Sequence, residues 1–355
     1  MTAPARIVLA AALGLALSAC APIGADSIRT DRIDYASAMA ESWKQQMLLN
    51  IVKLRYFDPP AFLDVSSVIG AYELQRQIAL GAGFGYQTDK GANNILGATG
   101  TFTDSPTITY TPLTGKKFIN ALLKPLPPRT IFAMIETGHP ADFILPIAVD
   151  AIDGIRNGSS APSRSHHPDR AFHRVVTAIR HIQEAGDLTL HMEKRNGHEE
   201  TWLSLRDDGD SSVARDIAFI TKTLRIHAAN GEYLLTFGSR QHRPDEIALL
   251  TRSMQEILVD LGAGVEVPAA DLKAGRATRV APAAAAGADC PLVHIHAGSA
   301  RPADAYAAVR YRHHWFWIDD RDLQSKRIFM FLMIFSSLAE TGGAPQTPIV
   351  TIPAH

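Results

Sequence analysis

The stretch Leu188-Thr189-Leu190-His191-Met192-Glu193-Lys194-Arg195-Asn196-Gly197-His198-Glu199-Glu200-Thr201-Trp202-Leu203-Ser204-Leu205 decides how the second half of this chain is read. Asn-Gly is the preferred pair for a two-residue type I′ turn, whose twist matches that of the strands it joins. With Asn196 and Gly197 as the loop, Lys194 pairs with Glu199, Met192 with Thr201, Leu190 with Leu203 and Leu188 with Leu205. The apolar partners then share one face, so the register is self-consistent, and a slip of one residue would turn them all outward.

Elements of both kinds surround this hairpin. Before it, Phe172, Val175, Val176, Ile179 and Ile182 form a helical stripe that ends at Gly186. After it, the pattern predicts a helix over 212–226, a strand over 233–237, and a helix on Ile247, Leu250, Met254, Ile257, Leu258 and Leu261. Residues 268–289 are rich in Ala, Pro and Gly and read as a linker loop. Strands return at 292–297 and 307–318. A last helix over 323–338 carries an unbroken apolar run from Ile328 to Phe335, which predicts a buried helix.

The first half is less regular. Ala40, Trp43, Met47, Ile51 and Leu54 recur at helical spacing within residues 36–56, and Pro59-Pro60 stops that helix. Ile78, Leu80, Ala82, Phe84 and Tyr86 then alternate with Ala79 and three glycines. Leu96, Ala98, Gly100 and Phe102 alternate beyond a polar turn at 88–91, so a long glycine-rich hairpin is expected over 78–110. Proline-punctuated short helices follow to residue 157. The fold class is therefore α+β: an N-terminal amphipathic helix, a long hairpin, a helical segment, and a mixed, mainly antiparallel sheet with packed helices. The expected organisation is 1–19, 20–35, 36–157 and 168–353.

Composition narrows the function classes. With 35 Lys+Arg against 36 Asp+Glu in 355 residues, the chain lacks the basic excess of a phosphate-neutralising nucleic-acid binder. Neither a Walker A loop, a Gly-x-Ser-x-Gly elbow, a His-Glu-x-x-His helix nor a Cys-x-x-Cys pair occurs. No cofactor is implied.

The first twenty residues carry the clearest address. Arg6 supplies a positive charge, residues 7–16 are apolar, and Leu17-Ser18-Ala19-Cys20 closes the segment. Such a run is too short to span a bilayer, which takes about twenty residues, and reads as a secretory signal. The segment resembles a bacterial lipoprotein signal with its lipobox. That resemblance implies cleavage before Cys20, acylation of its thiol with chains such as palmitate, and residues 20–35 as a tether. Ala21, where an aspartate would signal inner-membrane retention, implies the periplasmic face of the outer membrane. The rest of the chain resembles bacterial lipoproteins to which no mechanism is attached, and it implies no site residues. Cys290 is then the one remaining thiol, expected to be buried or available to a partner chain.

Three roles follow as expectations. The first is a non-catalytic structural, assembly or binding component of the cell envelope, attached to the membrane by its lipid and partnered by an envelope complex or by further copies of itself. Trp315 and Trp317, on one face of a strand, are its candidate partner surface. The second is a periplasmic hydrolase or metal-dependent enzyme. His294 and His296, about 7 Å apart on one strand face, would work with Asp319 and Asp320 as metal ligands or acid–base groups. A structural account of the same region has His313-His314 as a turn and Asp320 or Asp322 as a helix cap. The third is an oligomeric pore subunit using the 78–110 hairpin.

Overall fold

The computed structural model describes residues 25–69, 72–81, 95–104, 107–161, 165–195, 197–207, 209–279 and 291–340. Cys20, Cys290, the turn at 88–91 and residues 280–289 lie outside the described residues. The architecture is α+β, in two units each built from discontinuous segments rather than from the continuous stretches 36–157 and 168–353. One holds the chain to Asp58 with Ile155–Val175 and Ile257–Ile334. The other holds Pro59–Gly154, Val176–Glu256 and the chain from Phe335.

In the second unit five strands lie in the order β5-β10-β9-β8-β7, with β5 Val149–Ile152, β7 Leu188–Arg195, β8 His198–Leu205, β9 Glu232–Phe237 and β10 Glu246–Thr251. The β7–β8 register is the one the Asn-Gly turn dictates, from Leu188↔Leu205 to Lys194↔Glu199. Leu188, Leu203 and Leu205 are buried, while Met192, further toward the turn, is exposed. Residues 246–251, expected in a helix, form a strand parallel to β9 and antiparallel to β5. Ile247, Ala248 and Leu249 are all buried, because a central strand covered on both faces reads as a continuous apolar run. The helix starts only at Met254 and ends at Leu261.

Helix Pro128–Glu136 lies against β7 and β9. Its connection to helix Ala141–Ala148 is tied down by Gln183, which donates to the carbonyls of Ile135 (2.5 Å) and His139 (2.8 Å) and accepts from the Ala141 amide (3.0 Å). Gln183 sits on helix Arg170–Ala185, whose stripe Phe172, Val175, Val176, Ile179 and Ile182 is buried. Beside β5 the buried Arg252, 1% exposed, donates to the partly exposed Asp150 at 3.3 Å and to the Pro146 carbonyl. This unit also contains strands β1 Leu63–Ile69, β2 Tyr72–Gly81, β3 Ile95–Asp104 and β4 Thr107–Pro112, paired antiparallel as β1 with β4 and β2 with β3.

The first unit contains the short strand β6 Ile155–Arg156 and is built on helix Ala25–Arg55 and a three-stranded antiparallel sheet in the order β11-β13-β12, with β11 His296–Gly298, β12 Ala305–Tyr311 and β13 His314–Asp319. The helix begins inside the segment expected to be a tether. It packs on β12, where Lys44 donates to the Tyr306 carbonyl at 3.1 Å. At its end Tyr56, 4% exposed, bonds to Asp271. The expected linker therefore contributes helix Ala269–Lys273 and a buried carboxylate to the core. Helix Leu323–Glu340 buries Ile328, Phe329, Phe331, Leu332 and Phe335 but exposes Leu323, Met330 and Met333, so its apolar run is not covered all round. Among the described residues no helix is long and apolar enough to cross a membrane.

Candidate functional site

The three-stranded sheet of the first unit gathers the residues singled out at 294–320. Its inner face is apolar: Ala307, Val309, Phe316 and Ile318 are buried, and the Tyr56 ring meets Phe316 edge-on at 6.3 Å. Alternation along β13 therefore sends Trp315 and Trp317 to the opposite face, where both are half-buried. Across the sheet one row reads Gly298, Trp315, Arg310 and the next His296, Trp317, Ala308.

Small and flat neighbours fix the two indoles. A Cβ placed on Gly298 would lie 3.2 Å from the outer edge of the Trp317 ring, so the absence of a side chain there lets the indole lie on the strand. The His296 ring flanks the same indole at 5.5 Å and 36°. Over Trp315 stands the Arg301 guanidinium, 5.5 Å from the ring, a cation–π distance. Arg310, opposite Trp315, is exposed. The face thus offers two indoles within a rim of two arginines and a histidine.

The side chains of His296, Asp319 and Asp320 bond to three different partners, and the His294 ring stands beside His296. His296 Nδ1 is 3.1 Å from Glu266 Oε1, and the other oxygen of Glu266 accepts the Ala297 amide at 3.1 Å. His294 stands edge-on to His296, ring centres 6.5 Å apart, and its amide donates to the Ser325 hydroxyl at 2.9 Å. Asp319 accepts the Arg321 amide at 2.8 Å, and Asp320 binds Lys326 Nζ at 2.8 Å. The Lys326 ammonium holds the Asp320 carboxyl below its usual range. Asp322, not Asp320, caps the last helix: it accepts the amide and the hydroxyl of Ser325 at 3.0 and 2.6 Å. Burial pushes its pKa up, but those two hydrogen bonds outweigh it and keep the carboxyl ionised at lower pH than an ordinary aspartate. Among the described residues no group of three or more His, Cys, Asp or Glu could hold a metal ion.

His294 and Glu266 also line a cavity of about 210 Å³ with Gly264, Val265, Pro291 and Ile295. Glu266 was not foreseen, since it lies thirty residues before His296 and next to a stretch without pattern. In the second unit a larger cavity of about 480 Å³ is lined by Glu193, Trp202, His227, Glu232 and Asp245. Two of its carboxylates are engaged, Glu232 by the Asn230 amide and Asp245 by Arg243.

Comparison with known proteins finds no matching family model, no similar curated protein and no similar solved structure.

Proposed function

We propose that this chain is a lipoprotein held by acyl chains on Cys20 to the periplasmic face of the bacterial outer membrane, and that it serves there as a structural, assembly or binding component rather than as an enzyme. The observation that carries the reading is the quartet Leu17-Ser18-Ala19-Cys20 behind a short apolar run. Two or more acyl chains make a durable anchor, at about 0.8 kcal/mol for each buried methylene, where one chain binds reversibly. The sheet face adds support for a binding role. Trp315 and Trp317 are half exposed on a rigid element, while the side chains of His296, Asp319 and Asp320 each bond to a separate neighbour within the fold.

The test is Cys20→Ser in the full chain, expressed in a bacterium that processes lipoproteins. The parent should sediment with outer membranes and carry the mass of the acylated, cleaved chain; the variant should keep its signal segment and lose the acyl mass. A parent whose mass and sedimentation are unchanged by the substitution would overturn the anchor.

A further inference from the structure

We propose that the sheet face carrying Trp315 and Trp317 is a binding platform for the carboxylate-bearing glycan of the cell wall, with sugar rings stacked on the indoles and carboxylates held by Arg301 and Arg310. The proposal deepens the reading of this chain as a binding component at the outer membrane, and rests on it for the compartment in which such a glycan is met.

The apolar strip is the first observation. Trp315 and Trp317 are two positions apart on β13, so their Cβ atoms lie about 7 Å apart on one face and the indoles form one strip. Both are half-buried, because the opposite face, with Phe316 and Ile318, is the one that packs inward. Gly298 sets how Trp317 lies: the Cζ3–Cη2 edge of the ring passes 3.2 Å from where a Cβ would stand, so the indole is laid over the glycine. His296, in the same row on the next strand, flanks that ring at 5.5 Å with an interplanar angle of 36°. A ring seated in this way offers a flat surface. The negative face of an indole attracts the C–H bonds of a sugar ring, which carry slight positive charge. A protein partner gains most of its affinity from anchor side chains seated in pockets, and a flat strip suits a ring better than an anchor.

Charge is the second observation, and it comes from different residues. The Arg301 guanidinium stands 5.5 Å from the Trp315 ring, and Arg310 is the cross-strand neighbour of Trp315. Both arginines are exposed, and among the described residues neither has a carboxylate partner. The acids around the sheet are already committed: Glu266 to His296 and the Ala297 amide, Asp304 to Arg321, Asp319 to the Arg321 amide and Asp320 to Lys326. Two guanidiniums beside one indole are thus left uncompensated, and each presents the planar fork that matches a carboxylate. An anion satisfies both, whereas a cationic or neutral ligand does not.

The His296–Glu266 pair completes the platform. Glu266 Oε1 lies 3.1 Å from Nδ1, so the carboxylate takes the hydrogen on that nitrogen and fixes the ring. Nε2 of the neutral imidazole is then an acceptor for a sugar hydroxyl. Indole, imidazole and guanidinium therefore offer partners, along one sheet face, for the three kinds of group such a glycan carries: C–H, hydroxyl and carboxylate.

The test is co-sedimentation of the full acylated chain, in mild detergent, with purified insoluble bacterial cell-wall glycan. The parent should pellet with the polymer and saturate it. Arg301→Gln with Arg310→Gln changes two exposed side chains and should weaken binding about tenfold or more with an unchanged circular dichroism spectrum, and Trp315→Ala should do the same. Arg321→Gln, at an exposed arginine outside the strip, should leave binding unaltered. Methyl esterification of the polymer's carboxylates should reduce the parent's binding to that of the double arginine variant. A parent that stays in solution, variants that bind as the parent does, or indifference to esterification would overturn the proposal. So would soluble poly-glutamate that competes as well as the glycan, which would mark the face as a site for an acidic protein. Cys20→Ser separates the two readings: in detergent it should pellet with the glycan as the parent does even though its attachment to membranes is lost, and loss of glycan binding with the acyl chains would also overturn the platform.

Discussion

Tyr56 donates its phenolic hydrogen to Oδ2 of Asp271 at 2.8 Å, joining the end of the N-terminal helix to a helix 215 positions further along the chain. The other oxygen of Asp271 takes Arg276 at 2.7 Å, and the Tyr56 ring lies 5.6 Å from that of Tyr311 and beneath the Arg312 guanidinium. Burial pushes the pKa of Asp271 up, yet Arg276 and the phenol outweigh it and hold the carboxyl below its usual range. Burial and Asp271 together push the Tyr56 phenol well above 10, so it remains a donor at every pH of interest.

Tyr56→Phe should accordingly cost about 1–3 kcal/mol at pH 7, the penalty for leaving a buried carboxylate short of one partner. The sign with pH follows from the direction of the shift. A carboxyl depressed in the folded state stabilises the protein above its unfolded value near 4, and this contribution fades as pH falls through the folded value. The difference between parent and variant should therefore shrink between pH 5 and pH 2.5, which denaturant titration at both ends would measure. An unchanged difference would mean that the phenol acts through packing alone.

The same contact shows where sequence reasoning stops. Residues 188–205 are legible because turn type, loop length and alternation all act within eighteen neighbouring positions, and helix Arg170–Ala185 is legible because its stripe and its Gly186 stop are local too. Residues 246–251 are not. Ile247 and Leu250 fit a helical period, and only burial on both faces beside β9 and β5 makes the segment a strand. β1 escapes notice because its register shifts between Val65 and Ser67, which breaks the two-residue period. Of the candidate site, alternation places Trp315 and Trp317 together, whereas Glu266 and Asp271 reach His296 and Tyr56 through long-range packing that no spacing encodes.

Asp153 should make stability fall as pH rises. Its Oδ1 accepts the Ala248 amide at 3.0 Å, its Oδ2 is buried without a hydrogen-bond partner, and it faces Glu246, which is 4% exposed. Burial first, and the Glu246 charge in addition, raise Asp153 to about 6 against the opposing amide hydrogen bonds. A raised carboxyl binds more protons folded than unfolded, so stability declines from about pH 4 to about pH 6 and is level above. Asp153→Asn keeps an acceptor for Ala248, supplies a donor in place of Oδ2, and suits the left-handed backbone at φ 48°. The variant should match the parent at pH 4 and exceed it by roughly 1 kcal/mol at pH 8, a figure reduced for partial solvent screening. Parallel pH profiles for the two proteins would refute the assignment.

The turn joining β12 to β13 stores strain. Tyr311 pairs with His314, leaving Arg312 and His313 as a two-residue loop, both left-handed at φ 45° and 72°. That conformation costs a residue with a Cβ about 1–2 kcal/mol. His313→Gly should raise stability by about 1 kcal/mol. Arg312→Gly should gain less or nothing, because Arg312 also bonds Asp58 at 2.9 Å and covers the Tyr56 ring. Equal gains at the two positions would show that the Arg312 contacts contribute no stability.

Two glycines beside the candidate site should respond differently to a methyl group. At Gly264 a Cβ would sit 1.9 Å from the Val293 carbonyl oxygen, inside a backbone bridge where Ile295 donates to the Gly264 carbonyl and Glu266 to the Ile295 carbonyl. That oxygen cannot withdraw unless the bridge opens, so Gly264→Ala should cost about 3 kcal/mol and loosen the Glu266 hold on His296. At Gly298 the obstacle is the rim of the Trp317 ring at 3.2 Å, and a shift of a few tenths of an ångström in a half-exposed side chain relieves it. Gly298→Ala should cost about 1 kcal/mol or less while changing the indole fluorescence, because Trp317 must tilt away from the strand. Denaturant titration followed by both far-ultraviolet dichroism and tryptophan emission separates the two effects. If Gly298→Ala left the emission spectrum unchanged, the close seat of Trp317 on Gly298 would be wrong, and with it the geometry of the paired indoles.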